Sequence, residues 1–240
     1  MTSDSFDLAI VGSGAAAFSA AIRASELGAQ VAMVERGIVG GTCVNVGCIP
    51  SKAELAAAAQ QYRAAQNRFP RVVTSADGVE LEAIVAGKDE IVRSLRRERY
   101  LDLLEHYGFE LVQGTACFAD PNTLLVDGQP LHADRYLLAA GASPAVPPIE
   151  GLAEAGFLTS TSALELTELP RRLAVVGGNY VGLEFAQLFS RLGSEVTVLE
   201  MLDRVAPFEE PEASAVLEDA FADEGITVVT GARVGRVSRE

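Results

Sequence analysis

The sequence has few basic residues and lacks long apolar runs, and both shortages exclude kinds of partner. Its 19 lysines and arginines stand against 33 aspartates and glutamates, a net charge of −14 at pH 7, and a surface of this sign repels nucleic acids and anionic membranes. No apolar run approaches the ~20 residues of a membrane span, and the first residues lack a secretory pattern. We therefore expect a cytoplasmic protein, without nucleic-acid or membrane partners, whose partners are small molecules or basic patches.

Cysteine is also scarce, with three in 240 residues. In a reducing compartment this number fits one catalytic pair and a spare rather than a stabilising disulfide framework. Cys43 and Cys48 form the pair, and Cys117 is predicted to be a packed strand residue. The composition, 49% hydrophobic and 22% charged, is that of a globular chain with one large or two modest domains.

Residues 40–52, GGTCVNVGCIPSK, form the segment around which the sequence is organised. Cys48 lies two residues before Pro50, a position typical of a first helical turn, and the alanine-rich run 54–65 continues the helix. A helix N-terminus stabilises a thiolate, and Lys52 adds a positive charge one turn later. A structural disulfide or two buried thiols would be the alternative, but the flanking residues favour a redox-active pair.

Residues 7–35 have the pattern of a dinucleotide-binding unit, with strand 8–11, helix 15–27 and strand 31–34. Gly12 permits a tight turn, Gly14 lets the backbone approach a pyrophosphate at the helix N-terminus, and the small Ala17 allows close packing of helix and strand. Glu35 follows 23 positions after Gly12, where a carboxylate can accept both hydroxyls of a ribose.

The same pattern returns at a constant offset of 165 residues, which predicts a second dinucleotide site. Gly12, Gly14, Ala17 and Glu35 correspond to Gly177, Asn179, Gly182 and Glu200. Asn179 replaces the middle glycine, and because asparagine tolerates a positive φ better than other residues, we expect the turn to survive. Helix 211–224 and strand 226–230 are predicted to continue this second unit.

Between the two units the sequence predicts helix 88–107 and an antiparallel β-meander of strands 109–118, 123–126 and 131–140. A run of arginines on the helix is interpreted as a solvated face, with anion binding as the alternative: Arg93, Arg96, Arg97 and Arg99. The proline-rich and glycine-rich stretch 141–148 marks a boundary, which divides the chain into domains 1–145 and 146–240.

The segment 40–52 resembles the active-site signature of the pyridine nucleotide-disulfide oxidoreductases, which include lipoamide dehydrogenase, glutathione reductase and mercuric reductase. The resemblance implies an α/β fold with two Rossmann-like domains and the inserted meander. It implies FAD in domain 1–145, NADPH or NADH in domain 146–240, and a homodimer at full length. It also implies that the nicotinamide domain is incomplete and that the C-terminal dimerisation domain lies outside these 240 residues.

The resemblance assigns roles to individual residues. Cys43 is the interchange thiol that meets the substrate, Cys48 is the charge-transfer thiolate against the flavin, and Lys52 lies near the flavin's reactive nitrogen. The cofactor-binding residues that it implies, besides Lys52, are Gly12, Gly14, Ala17, Glu35, Gly37, Gly41, Thr42, Ala116, Gly141, Gly177, Gly182, Glu184 and Glu200.

Three stretches, 107–112, 141–149 and 159–164, are more similar to mercuric reductases than to lipoamide dehydrogenases. In such an enzyme Cys43 and Cys48 would hold Hg(II), a soft ion suited to two sulfur ligands. Lipoamide dehydrogenase is the alternative, and Glu200 fits its preference for NADH because a carboxylate repels a 2′-phosphate. A non-catalytic flavin-binding fragment is the third possibility.

Overall fold

The computed structural model describes residues 5–67 and 69–239. Among these residues, no helix is both long and apolar enough to cross a membrane. The strands are β1 (Phe6–Val11), β2 (Val31–Glu35), β3 (Glu110–Gln113), β4 (Ala116–Asp120), β5 (Thr123–Val126), β6 (Gln129–Leu131), β7 (Ala133–Leu138), β8 (Arg172–Val176), β9 (Glu195–Leu199) and β10 (Thr227–Val229).

Helices of very different lengths connect these strands. They are α1 (Ala15–Glu26), α2 (Gly41–Asn45), α3 (Cys48–Ala65), α4 (Leu81–Arg96), α5 (Asp102–Tyr107), α6 (Leu152–Ala155), α7 (Ser160–Ala163), α8 (Tyr180–Leu192) and α9 (Pro211–Asp223). A π-helical turn, Arg97–Leu101, joins α4 to α5.

The chain divides into two compact units. The first comprises the chain up to Pro50 with Asp89–Ser143, and the second comprises Ser51–Lys88 with the chain from Pro144 onward. The boundary at Ser143 lies two residues from the division expected at residue 145. Residues 51–88 group with the second unit, which the sequence did not indicate, because Ala58 and Val85 are buried in the second unit's core.

In the first unit a parallel sheet of order β3-β2-β1-β7 separates two apolar layers. Successive residues of a strand point to opposite faces, so Ile10 and Met33 pack with Ala17 and Phe18 of α1. Their neighbours Ala9, Ala32 and Val34 pack on the other face with apolar residues of the antiparallel meander β4-β5-β6. The inserted meander is therefore confirmed, and it covers one face of the sheet.

The second unit contains a parallel sheet of order β10-β9-β8 with α8 packed against it. Val196 and Val198 of β9 share the core with Leu188 and Phe189 of α8. The strand, helix and strand of this unit match β1, α1 and β2 within one residue at the offset of 165. The α/β class and the internal duplication are thus confirmed.

The predicted strand 109–118 is two strands. Gly114, with φ of +155°, donates its N–H to the Glu35 carbonyl at 2.9 Å, and Thr115 donates its N–H to Asp127 Oδ1 at 2.9 Å. These bonds end β3 in the parallel sheet and start β4 in the meander. Strand 131–140 likewise divides between β6 and β7, so β7 can join the parallel sheet beside β1.

The predicted helix 88–107 begins seven residues earlier, at Leu81. Leu81 and Val85 lie one helical turn apart and are both buried, so the start of the helix is fixed by packing. Cys117 lies in β4 as expected, but it is exposed, and the prediction of a packed residue is wrong.

Candidate functional site

The two predicted reactive cysteines lie on consecutive helices of the described chain. Cys43 is in the middle of α2, and Cys48 is the first residue of α3, which confirms the helix start predicted from Pro50. Asn45 fixes the short connection between them, since its Nδ2 donates to the Val39 carbonyl at 3.0 Å and to the Gly41 carbonyl at 2.9 Å. Asn45, which lies between the two cysteines, is therefore held against the chain that leads into α2.

Cys43 and Cys48 lie beside each other and are not joined by a disulfide in this structure, so the formation of the predicted disulfide stays a prediction. Partial burial of the sulfur raises the pKa of Cys43, although the residue as a whole is exposed, and the side-chain hydrogen bond and charge of Cys48 raise it further. The positive charge of Arg99 and a backbone hydrogen bond from Cys48 lower the pKa of Cys43. The two sulfurs are therefore close enough to influence each other's ionisation.

Tyr100 also belongs to this site, and the sequence indicated only that it lies on the apolar side of its helix. Its ring meets Phe18 edge-on at 4.9 Å between centroids. Burial raises the pKa of the Tyr100 hydroxyl, and the charge of Cys43 raises it further. Tyr100 and Arg99 both lie on the π-helical turn, and π-helical turns frequently occur at functional sites.

The first dinucleotide turn has the predicted geometry. Gly12 has a φ of +109°, and a Cβ there would lie 2.2 Å from the Ala139 carbonyl oxygen, so this position requires glycine. Gly14 is the N-cap of α1, and no side chain accepts a hydrogen bond from the first N–H groups of this helix. These N–H groups are therefore available to a phosphate. A Cβ on Gly41 would be 2.5 Å from the Gly14 Cα, so the thiol segment begins against the turn. These features fit a dinucleotide pyrophosphate.

Glu35 closes the first turn with both carboxylate oxygens engaged. Oε2 accepts from Ser13 Oγ at 2.5 Å, and Oε1 accepts from the Gly37 N–H at 2.7 Å. Because an ionised carboxylate offers about four acceptor positions, it can still take ribose hydroxyls. Gly37 was predicted as a cofactor contact, and here it holds the acid.

The second turn differs from the expectation at Asn179. Its φ is −104°, and the residue with positive φ is Gly177, at +110°. The turn survives the replacement, as expected, but it does not need a positive φ at Asn179, since this position is extended in both turns. The Asn179 Oδ1 accepts the Tyr180 N–H at 2.9 Å and so caps α8. A Cβ on Gly182 would lie 2.0 Å from the Gly177 carbonyl oxygen, so the helix and the turn are in close contact, as predicted.

Glu200 is buried and held by backbone donors. Its Oε2 accepts from the Gly178 N–H at 2.6 Å and its Oε1 from the Leu202 N–H at 2.8 Å. Arg204, the cation nearest in the sequence, donates through Nη2 to the Pro207 carbonyl at 2.9 Å. The Arg204 guanidinium thus donates to the backbone. A hydrogen bond between Glu200 and the ribose of the nicotinamide nucleotide stays a prediction.

Lys52 and Glu184 were singled out separately, and the second unit brings them together. Lys52 Nζ lies 2.5 Å from Glu184 Oε1. The side chains are 56% and 36% exposed, so the pair adds little to stability. Their predicted roles at the flavin and the cofactor stay predictions.

The remaining candidates are distributed over the first unit. Thr42 lies in α2 and is exposed, Ala116 begins β4, and Gly141 follows β7 with a φ of +72°. Their predicted cofactor contacts stay predictions. Among the described residues, no three His, Cys, Asp or Glu side chains form a group that could hold a metal.

Comparison with known proteins identifies relatives of the whole chain. The family model of the pyridine nucleotide-disulphide oxidoreductases matches residues 6–240. The chain is 51% identical over 241 residues to a mercuric reductase of Streptomyces lividans, covering 98% of this chain and 51% of that protein. It is 47% identical over 236 residues to a mercuric reductase of Lysinibacillus sphaericus, covering 98% of this chain and 43% of that protein.

The fold is similar to that of a solved flavoenzyme. The HOCl-induced flavoprotein disulfide reductase RclA from Escherichia coli matches with a TM-score of 0.85 and 30% identity, over 98% of this chain and 51% of that one. The chain thus spans about half or less of the length of these relatives.

Proposed function

Because the chain belongs to the pyridine nucleotide-disulphide oxidoreductase family, we propose that it is a flavin-dependent NAD(P)H oxidoreductase whose reacting sulfurs are Cys43 and Cys48. Enzymes of this family use FAD and NAD(P)H. The observation that carries the proposal is the pair of neighbouring cysteines on a segment that begins against a turn suited to a dinucleotide. FAD would be held by the first turn and Glu35, and the nicotinamide nucleotide by the second turn and Glu200.

Bound FAD supplies the transfer of two electrons from NAD(P)H to the sulfurs or to a metal ion held by them. The residues of the chain prepare the sulfurs for this. Cys48 is the first residue of α3, where the backbone N–H groups of the first helical turn have no partner within the helix. Cys43, exposed and hydrogen-bonded to Cys48, is available to a substrate, and Arg99 favours its deprotonation.

We propose Hg(II) as the substrate, reduced by two electrons to Hg(0). Relatives at 47–51% identity are mercuric reductases, and two thiolates match the preference of a soft ion for sulfur. Hg(II) is bound by thiolates, so a sulfur that carries a proton must lose it on binding, and the affinity for Hg(II) should rise with pH. The family also contains dihydrolipoamide dehydrogenases, and an exposed Cys43 could equally attack a disulfide. A non-catalytic flavin-binding fragment is the remaining alternative.

The proposal includes the setting of the enzyme. Three cysteines in 240 residues suit a reducing compartment better than a disulfide framework, which supports a cytoplasmic location. A homodimer is proposed from the family alone, and the partner copy would be a second chain of this protein.

The test is oxidation of NADPH or NADH by the FAD-loaded protein with and without Hg(II). We expect Hg(II)-dependent oxidation that falls by about 100-fold or more in Cys43→Ala, because the substrate thiolate is lost. Cys117→Ala is the matched control, since Cys117 is also an exposed free thiol but lies on the meander. Robust lipoamide reduction without any response to Hg(II) would contradict the mercury assignment. Retention of FAD with no oxidation of either nucleotide would indicate a binding fragment.

A further inference from the structure

The two acids that close the dinucleotide turns are held by different donors. Glu35 Oε2 accepts from the Ser13 hydroxyl at 2.5 Å, whereas Glu200 Oε2 accepts from the backbone N–H of Gly178 at 2.6 Å. Ser13 and Gly178 occupy the same position of the duplicated unit, since they differ by the offset of 165. At this position of the duplicated unit, the first copy therefore holds its carboxylate with a side-chain hydroxyl and the second copy with a backbone N–H.

The space around Gly178 explains the difference. A Cβ at this position would lie 3.0 Å from the Glu200 Cβ and 3.2 Å from its Oε2, closer than ordinary van der Waals contact. A side chain at this position would therefore push the Glu200 carboxylate away by a few tenths of an ångström, whereas glycine lets it rest on the backbone N–H. Ser13 carries a Cβ, so the carboxylate of Glu35 is held by the hydroxyl instead.

Ser13 also contacts the start of the thiol segment. It is 1% exposed, and the Gly40 N–H donates to its carbonyl at 3.1 Å and to its Oγ at 3.3 Å. Gly40 immediately precedes α2, the helix that carries Cys43. A single buried hydroxyl thus connects the acid of the first turn with the backbone that leads to the reactive sulfur.

We propose that Ser13 is a positioning residue that orients the Glu35 carboxylate for the ribose at the adenosine end of FAD. This inference rests on the proposed function, because it takes the first turn as the FAD site. Ser13 on Oε2 and Gly37 on Oε1 use two of the about four acceptor positions of the carboxylate. They hold its plane fixed and leave one position on each oxygen for the two ribose hydroxyls.

The test is the affinity of the flavin-free protein for FAD and for FMN, which lacks the adenosine, measured by flavin fluorescence. Ser13→Ala should weaken FAD by about tenfold, since a hydrogen bond to a charged group is lost, and should leave FMN unchanged. Ser13→Gly should lose less than Ser13→Ala, because the freed backbone N–H can take the carboxylate as Gly178 does. Ser194→Ala is the matched control, since it removes a buried serine donor that bonds the Pro170 carbonyl at 2.5 Å, and it should leave FAD affinity unchanged.

A double-mutant cycle shows whether Ser13 acts through Glu35. In a Glu35→Gln background, Ser13→Ala should weaken FAD much less than it does in the wild type. An equal loss in both backgrounds, or an equal loss of FAD and FMN, would overturn the inference. If the wild type binds FAD and Ser13→Ala binds it with the same affinity, the inference is also overturned, but the proposed function is not affected. A wild type that binds neither flavin would overturn the proposed function and the inference together.

Discussion

The reactivity of Cys43 depends on two neighbours with opposite effects. The hydrogen bond and charge of Cys48 add to the effect of burial and raise the pKa of the Cys43 thiol, and the Arg99 guanidinium lowers it. Because only the thiolate attacks disulfides and binds soft metals, the balance between these neighbours sets the pH at which Cys43 becomes active. Arg99 is therefore more than part of a solvated face.

Replacing Arg99 by glutamine should raise the pKa of Cys43 further. The positive charge stabilises the thiolate, so its removal favours the protonated form and moves the pH profile of alkylation by iodoacetamide to higher pH. Arg97→Gln is the control, since Arg97 lies on the same π-helical turn and faces Asp102, with Nε 3.7 Å from Oδ1. Identical profiles for Arg99→Gln and the wild type would show that Arg99 does not act on this sulfur.

Sequence reasoning identified the residues of this site whose roles depend on local pattern. Cys43, Cys48 and Lys52 lie within ten residues of one another, and the spacing to Pro50 correctly predicted where α3 begins. Tyr100 and Arg99 are more than fifty positions from either cysteine in the sequence, and only the packing of the π-helical turn brings them near the sulfurs. No spacing rule connects such distant positions.

Among the elements, those with local start and stop signals were predicted best. The glycine turns located β1, α1, β2 and their repeats within two residues. The division of strand 109–118 at Gly114 depends on a hydrogen bond to Glu35, a distant residue, and was missed. The early start of α4 at Leu81 was missed because it depends on burial in the second unit's core.

The short α2 is the element most directly tested by mutation. The side chain of Asn45 donates to two backbone carbonyls and accepts from Arg96 Nη1 at 3.1 Å. Asn45→Ala should lower the free energy of unfolding by about 1–2 kcal/mol, since these hydrogen bonds are lost. Denaturant titration checks the value, with Arg23→Ala as the control, because it breaks only an exposed ion pair. No change in Asn45→Ala would mean that the connection between the cysteines is fixed by other contacts.

At the scale of the molecule, the duplication gives two similar dinucleotide turns with unlike details. One turn has a serine donor and an uncapped helix, and the other has a glycine donor and an asparagine cap. The sequence predicted the repeat because glycine, small and acidic positions recur in register. It could not predict the donors, because they depend on the space around each carboxylate.

The central claim is that Cys43 and Cys48 are a redox pair with distinct roles beside a flavin. The most direct measurement is the absorption spectrum of the FAD-loaded protein and of its single cysteine variants. Two-electron reduction of the wild type should produce a long-wavelength charge-transfer band from the Cys48 thiolate. Cys43→Ser should show this band without reductant, and Cys48→Ser should not show it under any condition. A Cys43→Ser protein that binds FAD without the band, or a Cys48→Ser protein that shows it, would contradict the assignment of the two sulfurs.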